Sequence, residues 1–551
     1  MMNAKEKINQ FVDVRTASDT GFSFVTEKLD ISTPLGVKEL KGQLPFLPGD
    51  EEALKEELNR LENILGLVED HAKTLARIKE TFHCLKDITG SIERSRGEVL
   101  SQIEIFEIKS FIIYVNALRG ILVSYDGEIP EEFIPEETKV LMDLLDPRGD
   151  KTNSFYIYDE YSKKLAELRG EKKKLEAEIR KVQKILKDKI QSEHGIILTP
   201  KFDIVIPKSS DQVEAADNCS ELNRIGEDYS SVTFGLAMPQ EVESLVEAKE
   251  ALALKIEDEE YVVRKELSRK IGERSDALLL NAHRVGRLDY VIAKAELAVK
   301  YSLVKPEISP DHALSFKGGR HIQVEEILKS KGRSYFPIDL NLKPGVTCIT
   351  GANMGGKTVS LKLTGLMALM AQFGYYLPCE KATIGLSSSV RILVGDNQSL
   401  EKGLSGFGSE MEELKEMMAG ADDRALLLID EIAGGTNPSE GQALIASIGE
   451  YLASKPYISM LTTHYDMFTI ADEVEMLQVR GLGDVDYDKL DMELKQAGTD
   501  DRIEVIGKYM DYSLVPLNKG GDIPRDAINI ADMLGLPREI INGARKHLSK
   551  E

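Results

Sequence analysis

The stretch 345-GVTCITGANMGGKTVSLKLTGLMALM-370 decides the fold of the C-terminal half of this chain. Its first residues are apolar and β-branched, as in a buried strand, and residues 351–358 then fit the pattern G-x-x-x-x-G-K-[ST]. An apolar helix pattern follows directly. Strand, glycine-rich loop and helix in this order place backbone N–H groups and a helix N-terminus against phosphate oxygens. The stretch therefore predicts a loop that binds the phosphates of ATP.

The side chains of this loop have predicted roles. Lys357 is expected to reach the β- and γ-phosphates, and Thr358 is expected to give its hydroxyl to Mg²⁺. Further contacts to ATP are predicted for Gly351, Asn353, Gly355, Gly356 and Val359.

A second apolar strand, 425-ALLLIDE-431, ends in two carboxylates. Asp430 can hold Mg²⁺ directly or through water, and Glu431 can orient and polarise the attacking water. An apolar run ending in Asp-Glu also occurs in ordinary buried strands, but its position after the phosphate loop favours the catalytic interpretation. Together with Lys357, these residues predict an enzyme that hydrolyses ATP.

Three further polar residues are candidates for phosphate contacts. Gln398, in GDNQSL, could sense the γ-phosphate or its water, and Ser405 lies near a predicted helix start, which suits a phosphate. His464 follows the strand pattern YISMLTT and could contact the γ-phosphate as a switch. A single histidine after a strand is more often structural, so both interpretations of His464 stay open.

The apolar pattern predicts a multidomain fold: an α-helical core with antiparallel coiled-coil arms, followed by an α/β P-loop ATPase domain of the ABC type. From residue 312, short apolar runs alternate with helical stretches, which is typical of a largely parallel sheet. Two charged helices, roughly 156–193 and 240–275, carry apolar residues at heptad spacing. Solvated helices packed on the body are the alternative to free arms.

The predicted domains follow from these patterns. They are an N-terminal segment (1–30), a helical core (31–155), two arms (156–195 and 239–300), a small module between the arms with strand-like runs (196–238), the ATPase domain (301–515) and a C-terminal helical element (516–551). We call residues 196–238 the inter-helix module.

Composition restricts the class of protein. The chain has 551 residues, a net charge of −23 and a pI of about 5.0, so it shows no overall basic character of the kind common in nucleic-acid binders. Its four cysteines show neither metal-ligand spacing nor a disulfide framework. The sequence has no apolar signal core and no run of 18 apolar residues, so we expect a cytoplasmic protein with no membrane partner.

Taken together, the motifs resemble the MutS family of ATPases. The resemblance rests on residues 349–379, GDNQSLEKGLSGFGSEM, LLLIDEIAGGTNPSEG and TTHYD, whose order and spacing follow the family closely. GDNQS and GGKTVSLK are more similar to the second MutS branch, which lacks mismatch-reading domains. STPLGVKEL, GEVLSQIEIFEI and LDYVIAKAELA resemble the core domain of that branch, and residues 520–544 resemble its helical dimerisation end.

The resemblance implies a homodimer that holds ATP and Mg²⁺ across paired ATPase domains. It places Ser405 against the nucleotide of the partner, and GGTNP (434–438) at the same interface. It also implies that an aromatic residue before the first strand, Tyr335 or Phe336, stacks on adenine. The two helices correspond to the family's lever arms, and the inter-helix module to its DNA-gripping clamp.

The sequence also departs from the family pattern. No mismatch-reading domain precedes the core and no nuclease domain follows residue 551, so we expect neither direct mismatch reading nor intrinsic DNA cleavage. The inter-helix module has three basic and seven acidic residues, a net charge of −4 that would repel duplex DNA. The basic run 163-KKLAELRGEKKKLEAEIRKVQK-184 could touch DNA, although a solvated coiled-coil face is the favoured interpretation of it. We assign no role to the acidic stretch at 483–512.

Two functions compete at this point. The first is an ATP-gated, DNA-binding clamp in repair or recombination, acting on duplex or branched DNA. The second is an ATP-driven remodeller of a protein client, such as the reactivation of a cobalamin-dependent aminomutase that is attributed to some MutS-like ATPases. The acidic module favours the second function, and the family as a whole favours the first.

Overall fold

The computed structural model describes most of the chain in two compact units. The described residues are 4–150, 152–237, 239–351, 356–395, 406–434, 436–465, 474–482, 485–496, 502–517 and 526–548. The first unit comprises residues 1–83, 121–134 and 284–551, and the second comprises residues 84–120 and 135–283. The predicted N-terminal segment and part of the predicted helical core therefore lie in the same unit as the P-loop.

Helices fill the N-terminal half. In chain order they are α1 (Ala4–Phe11), α2 (Val14–Asp19), α3 (Phe22–Glu27), α4 (Pro34–Gly42), α5 (Glu51–Asp70), α6 (Ala72–His83), α7 (Thr89–Arg94), α8 (Gln102–Val123), α9 (Lys139–Leu145), α10 (Lys163–His194), α11 (Gln212–Asp217), α12 (Gln240–Gly272) and α13 (Ser275–Tyr301). Strands β1 (Asp203–Pro207), β2 (Leu222–Glu227) and β3 (Ser231–Leu236) interrupt them.

Strands and helices alternate in the C-terminal half. The strands are β4 (Glu307–Ser309), β5 (Leu314–Gly319), β6 (Ile338–Leu342), β7 (Gly345–Thr350), β8 (Lys381–Gly385), β9 (Ser389–Val394), β10 (Ala425–Asp430), β11 (Ile458–Thr462), β12 (Val474–Gly481) and β13 (Asp511–Pro516). The helices are α14 (Ile322–Ser330), α15 (Lys357–Gln372), α16 (Gly406–Ala419), α17 (Pro438–Ala453), α18 (Tyr487–Gln496), α19 (Arg502–Tyr509), α20 (Asp526–Met533) and α21 (Arg538–Leu548).

The main sheet of the first unit has six strands in the order β13-β12-β7-β11-β10-β9. All neighbours are parallel except the edge pair β12–β13, which is antiparallel. Strand β10 is buried along its whole length, as expected for a central strand covered on both faces. The predicted largely parallel sheet is confirmed, and a separate four-stranded sheet, β4-β8-β5-β6, accompanies it.

Helix α15, which follows the phosphate loop, is held firmly at its C-terminal end. The buried ammonium of Lys294 on α13 donates to the carbonyl oxygens of Phe373 (2.9 Å) and Gly374 (3.3 Å), which close the helix. Burial lowers the pKa of Lys294 to about 8, and Glu57 at 3.5 Å opposes that effect. A cation at a helix C-terminus also interacts favourably with the helix dipole. Lys294 therefore fixes the far end of the helix that presents Lys357.

The pattern of residues 1–30 predicts no element, and here the structure differs. Helices α1 and α2 contact β9 at the sheet edge, where the guanidinium of Arg391 donates to the carbonyls of Asn9, Gln10 and Phe11. Thr16 accepts a hydrogen bond from the backbone N–H of Ile392. These helices have only six to eight residues, so tertiary contacts rather than a long apolar period hold them.

In the second unit, α10 begins at Lys163, later than the predicted start at 156. Residues 155–161 instead form an aromatic cluster of Phe155, Tyr158 and Tyr161, and Ser162 caps the helix by accepting from the N–H of Leu165. Ion pairs from Lys164 and Arg169 join the first turns of α10 to Glu259 and Glu260 of α12.

The inter-helix module is a three-stranded antiparallel sheet in the order β1-β3-β2, as its strand-like runs indicate. One face of the sheet packs with the end of α10 around Ile190, Ile206, Val232 and Phe234. Two of its three cations pair within the module: Lys208 contacts Glu227, and Arg224 contacts Asp217.

Acid is expected to destabilise the first unit through two buried histidines. Burial lowers the pKa of His312 and of His321 to about 4, against 6.5 for a free imidazole. The unfolded chain therefore binds these protons more readily, and stability present above pH 6.5 is lost as the pH falls toward 4. Each histidine accounts for about 3 kcal/mol of this loss. Calorimetric melting between pH 7 and pH 4.5 measures it.

Replacing one of these two histidines with glutamine separates its contribution to the loss of stability in acid from the contribution of the carboxylates. We expect the melting temperature of His321→Gln to fall less steeply with acid than that of the wild type. His547→Gln, at an exposed position, should follow the wild-type curve. Identical curves for all three proteins would contradict the prediction.

Candidate active site

The phosphate loop lies between the carboxyl end of β7 and the start of α15. Gly351 (φ 135°) and Gly356 (φ 77°) border it in left-handed backbone conformations. The positive φ favours glycine at position 356, and a Cβ there would also be in tight contact with the ring of Tyr512, at 3.1 Å. Residues 352–355, which include the predicted ATP contacts Asn353 and Gly355, lie outside the described residues.

Lys357 is the first residue of α15, and its ammonium is buried at the mouth of this loop. The side chain is 3% exposed, and Nζ donates to the carbonyl of Gly351 at 2.6 Å. It also lies 2.9 Å from Oε1 of Glu431, at the end of β10. A buried cation held by one carbonyl and one carboxylate can exchange the carboxylate for a phosphate oxygen, which is a comparable charge-assisted partner.

Thr358 and Asp430 meet beside Lys357. The hydroxyl of Thr358 donates to Oδ2 of Asp430 at 2.8 Å, and Thr462 of β11 donates to the other carboxylate oxygen. A hydroxyl and a buried carboxylate oxygen at this distance are hard oxygen donors of the type that Mg²⁺ prefers. The residues therefore fit the predicted Mg²⁺ site. Val359 follows in the same helix turn and is half-buried.

Glu431 is held in an unusual backbone conformation. Its φ is +41°, a region that residues other than glycine rarely adopt, and Ala433 has φ +63°. The N–H of Glu431 donates to the carbonyl and to the hydroxyl of Thr462 at 3.2 and 3.1 Å, and Oε2 of Glu410 accepts from the N–H of Ala433. Strained residues of this kind cluster at functional sites. In this conformation the Glu431 carboxylate lies 2.9 Å from the ammonium of Lys357.

The structure adds residues that sequence reasoning did not identify. Thr462 donates to the carboxylate of Asp430, and Glu410 accepts from the backbone N–H of Ala433; both residues lie within quoted motifs, but the sequence analysis gave neither of them a role. Thr462 pairs with Asp430 in the sheet register, and Ile349 pairs with Thr462 on the other side. Strand β11 thus lies between the phosphate-loop strand and β10. In the sequence, the pair Thr462–Thr463 at the end of the apolar run of β11 was the signal that could have identified Thr462.

His464 lies just beyond this Thr pair, where the chain leaves β11. It is exposed, and its ring lies 4.3 Å from that of Tyr465. The neighbouring Thr463 donates its N–H to Ile349 at the end of β7, and the hydroxyl of Tyr465 donates to the carbonyl of Ala433. The side chain of His464 is therefore available to a ligand. Gln398 and Ser405 lie outside the described residues.

Two aromatic rings border the phosphate loop. Phe336 lies 6.1 Å from Tyr512 between ring centroids, and the ring of Tyr512 lies 3.1 Å from the position of a Cβ built at Gly356. Tyr335 is partly buried, and its hydroxyl lies against the backbone of His321; burial raises its pKa to about 12. Of the two aromatic residues implied by the resemblance, Phe336 is the one whose ring lies near Tyr512, and the stacking role stays a prediction for both. Tyr512 had no sequence signal, because β13 brings it there from the opposite edge of the sheet.

Replacing either ring beside the loop with leucine is expected to weaken ATP binding roughly 10-fold, since base–aromatic stacking contributes about 1–3 kcal/mol. Phe336→Leu and Tyr512→Leu keep an apolar side chain but lose the π face. Affinity for a fluorescent ATP analogue measures the effect, and affinity for inorganic triphosphate, which has no base, should stay unchanged. Tyr335→Leu is the matched comparison. If that variant alone weakens ATP binding, Tyr335 is the stacking residue.

A glycine loop, a buried lysine and an Asp-Glu pair at the carboxyl ends of parallel strands define a P-loop ATPase domain. The comparison with protein families agrees, since residues 347–550 match the model of MutS domain V. An endonuclease MutS2 of Halothermothrix orenii is 30% identical over 528 residues, which are 89% of this chain and 60% of that protein. That of Brevibacillus brevis is 28% identical over 539 residues, 89% of this chain and 61% of the relative. These matches show that the chain is similar to the MutS family, and to its second branch, which these relatives represent.

The match to these relatives is partial in one respect. The chain spans about 60% of their length, and the rest of each relative lies outside the aligned residues. The endonuclease MutS2 of Acetivibrio thermocellus is 35% identical over 243 residues, which are 43% of this chain.

Among the described residues, no helix is both long enough and apolar enough to cross a membrane.

Proposed function

We propose that this protein binds and hydrolyses ATP as a homodimer and acts on DNA in repair or recombination, without reading mismatches directly. The observation that carries the ATPase part is the contact of buried Lys357 with Glu431, beside the Thr358–Asp430 pair. A phosphate-binding cation, a metal-binding pair and a candidate base are the components that phosphoryl transfer to water requires.

The proposed reaction begins with an exchange of partners at Lys357. Triphosphate oxygens replace the carboxylate of Glu431 at the ammonium, and this frees the carboxylate to accept a hydrogen bond from water. Glu431 then orients the water for in-line attack on the γ-phosphorus and takes up its proton, while the bond from the γ-phosphorus to the β,γ-bridging oxygen breaks and ADP leaves with that oxygen. Thr358 and Asp430 would hold Mg²⁺, which would supply charge stabilisation to the phosphate oxygens when bound. His464 remains a candidate contact to the γ-phosphate, with Gln398 positioning the water.

The dimer is proposed on family grounds together with local geometry. Ser405 is expected to contact the partner's nucleotide, and residues 434–438 are expected at the same interface. At the end of that segment, the side chain of Asn437 accepts from the N–H of Ser439 at 3.0 Å, and Pro438 begins α17. This N-cap fixes the direction in which the segment enters α17. A fixed direction is needed if the segment is to contact a partner subunit.

DNA is favoured over a protein client by the charge pattern of α10, which we propose as one of two antiparallel arms. Among its described cations, six are exposed and have no ion-pair partner in the described part of the chain. One is Lys163 in the first turn, and the other five lie closer together; they are Lys173, Lys174, Arg180, Lys181 and Lys184. Helical periodicity puts all five on one side over roughly 16 Å. Such a stripe can contact successive phosphates.

The inter-helix module suits this role less well. Its net charge is −4, and Lys208 and Arg224 are already paired with its own carboxylates. We therefore propose that duplex or branched DNA contacts the stripe on α10 rather than the acidic sheet. The resemblance implies a DNA clamp at the module, whereas the pairing of its cations supports a contact on the helix.

The test compares DNA affinity and DNA-stimulated ATPase activity in two charge-matched variants. Lys181→Glu/Lys184→Glu reverses two charges of the stripe, and Lys73→Glu/Lys139→Glu reverses two exposed lysines elsewhere. We expect the stripe variant to bind duplex and four-way-junction DNA at least 10-fold more weakly, with a smaller salt dependence. The control should bind as the wild type does, and basal ATP turnover should be equal in all three.

Other outcomes would redirect the proposal. Equal loss of affinity in both double variants would mean that general charge, not the stripe, attracts DNA. Normal basal turnover with no DNA binding by the wild type at low salt would sink the DNA proposal. The ATP-driven remodelling of a protein client would then be the function to test.

A further inference from the structure

Three potential metal ligands converge where α10 enters the inter-helix module. They are His194, the last residue of α10, and Cys219 and Glu221, in the turn between α11 and β2. One ligand atom of each lies within 4.8 Å of the others. Within the described residues, this is the one group of three such side chains that meets that distance. All three belong to the second unit, far in sequence from the ATPase motifs.

The backbone fixes each of these residues. Gly195, in the left-handed conformation, ends α10 and donates its N–H to Gln191. Cys219 is bonded through its N–H to Ala216 and through its carbonyl to Leu222. The carbonyl of Glu221 accepts from Ala237 at 2.7 Å, beyond the end of β3. The ligand atoms are therefore carried by elements that the hydrophobic core of the module already holds in place.

The contacts of Glu221 divide its two oxygens between two roles. Oε1 pairs with the ammonium of Lys189, while Oε2 faces the thiol of Cys219 at 3.6 Å. The hydroxyl of Ser220 also donates to Oε2 at 2.7 Å. Groups that bond to a ligand carboxylate in this way orient it toward a metal. One oxygen of Glu221 is thus oriented toward the sulfur by its neighbours.

We propose that the imidazole of His194, the sulfur of Cys219 and a carboxylate oxygen of Glu221 bind a divalent cation of the zinc class. Nitrogen, sulfur and oxygen ligands together suit a borderline-soft ion, and three protein ligands leave a fourth position for water. The net charge of −4 on the module favours the cation electrostatically. On binding, the thiol proton of Cys219 leaves to solvent and the thiolate becomes the ligand.

The environment of Cys219 is consistent with this exchange. The side chain of Cys219 is 2% exposed and belongs to the hydrophobic core of the module, which holds the sulfur beside Glu221. A bound cation would stabilise the thiolate in the same place. Because His194 ends α10 and Cys219 belongs to the core of the module, the ion would fasten the long helix to the small sheet. The proposed ATPase function is not needed for this inference.

Cobalt binding to the full chain tests the site, because Co²⁺ bound to a thiolate has a charge-transfer absorption in the near ultraviolet. After removal of metals with a chelator, the wild type should show this band and saturate at one Co²⁺ per chain. Zn²⁺ should abolish the band by displacement. The Mg²⁺ site of the ATPase domain has only oxygen donors, so Co²⁺ bound there would not absorb in this way.

Matched variants decide which residues bind the ion. Cys84→Ser, which changes an exposed cysteine, should keep the band, and Cys219→Ser should lose it. His194→Ala, at an exposed position outside the core, should fold normally and bind Zn²⁺ at least 10-fold more weakly in competition with a chromophoric chelator. No thiolate band in the wild type, the same band in Cys219→Ser, or unchanged zinc affinity in His194→Ala would each overturn the proposal.

Discussion

Replacing Glu431 with glutamine is expected to stop ATP turnover while leaving ATP bound. The variant keeps the size and the hydrogen-bonding ability of the side chain but loses the charge that takes up a proton from water. Removal of a general base typically costs 10²–10⁴-fold in rate, so we expect kcat to fall by at least about 100-fold. Steady-state phosphate release measures kcat, and equilibrium binding of a fluorescent nucleotide measures affinity.

The same contact predicts the direction of the affinity change. In the structure, Lys357 pairs with Glu431 at 2.9 Å, so ATP must compete with this carboxylate for the ammonium. A neutral glutamine competes less, and ATP should therefore bind Glu431→Gln at least as tightly as it binds the wild type. Weaker binding would show that Glu431 supports the nucleotide rather than the water.

Glu450→Gln provides the control for this variant. Glu450 is exposed at the far end of α17, and its replacement makes the same change of charge and size. Its turnover should equal that of the wild type. Unchanged turnover in Glu431→Gln, measured beside this control, would remove Glu431 from the proposed role.

The local elements of this site were predictable because each is encoded by a short continuous stretch. The apolar strand before Gly351 and the apolar strand before Asp430 indicate two parallel strands, and parallel strands bring their carboxyl ends to one edge of a sheet. The observed distance of 2.8 Å between Thr358 and Asp430 follows from that arrangement. The order and spacing of these two motifs were sufficient to predict that the start of α15 and the end of β10 meet.

Residues that reach the site from distant elements were not predictable in the same way. Tyr512 comes from β13, an antiparallel edge strand inside a region whose acidic composition obscured its structure. The neighbouring stretch forms α18 and α19, which bury Leu490, Leu494 and Ile506 on one face. Acidic residues on the exposed face dominated the composition. The apolar residues that make the core are fewer and more widely spaced.

The short helices at the N-terminus were missed for a related physical reason. A helix of six residues cannot show a convincing 3.6-residue period, and its stability comes from what it packs against. Three backbone carbonyls between Asn9 and Phe11 accept hydrogen bonds from Arg391, almost 400 residues away in sequence. No local pattern contains such a contact.

Replacing Lys357 with alanine is expected to abolish useful ATP binding. The side chain is 3% exposed and its polar partners include Gly351 and Glu431, so its loss removes a buried cation from the place where phosphates would bind. Hydrogen bonds to charged groups contribute about 1.5–3 kcal/mol each, and two lost contacts correspond to an affinity loss of at least roughly 100-fold. Lys362→Ala, on the same helix, should bind ATP as the wild type does.

The variant also leaves Glu431 without its cation, and this makes the two residues interdependent. In Lys357→Ala, the carboxylate would face the triphosphate directly and repel it, which adds to the loss of the ammonium. The double variant Lys357→Ala/Glu431→Gln should therefore bind ATP more tightly than Lys357→Ala alone, while remaining inactive. A double-mutant cycle of nucleotide affinities measures this coupling. If the effects are additive, the contact between Lys357 and Glu431 does not compete with ATP, and the exchange of partners proposed above is wrong.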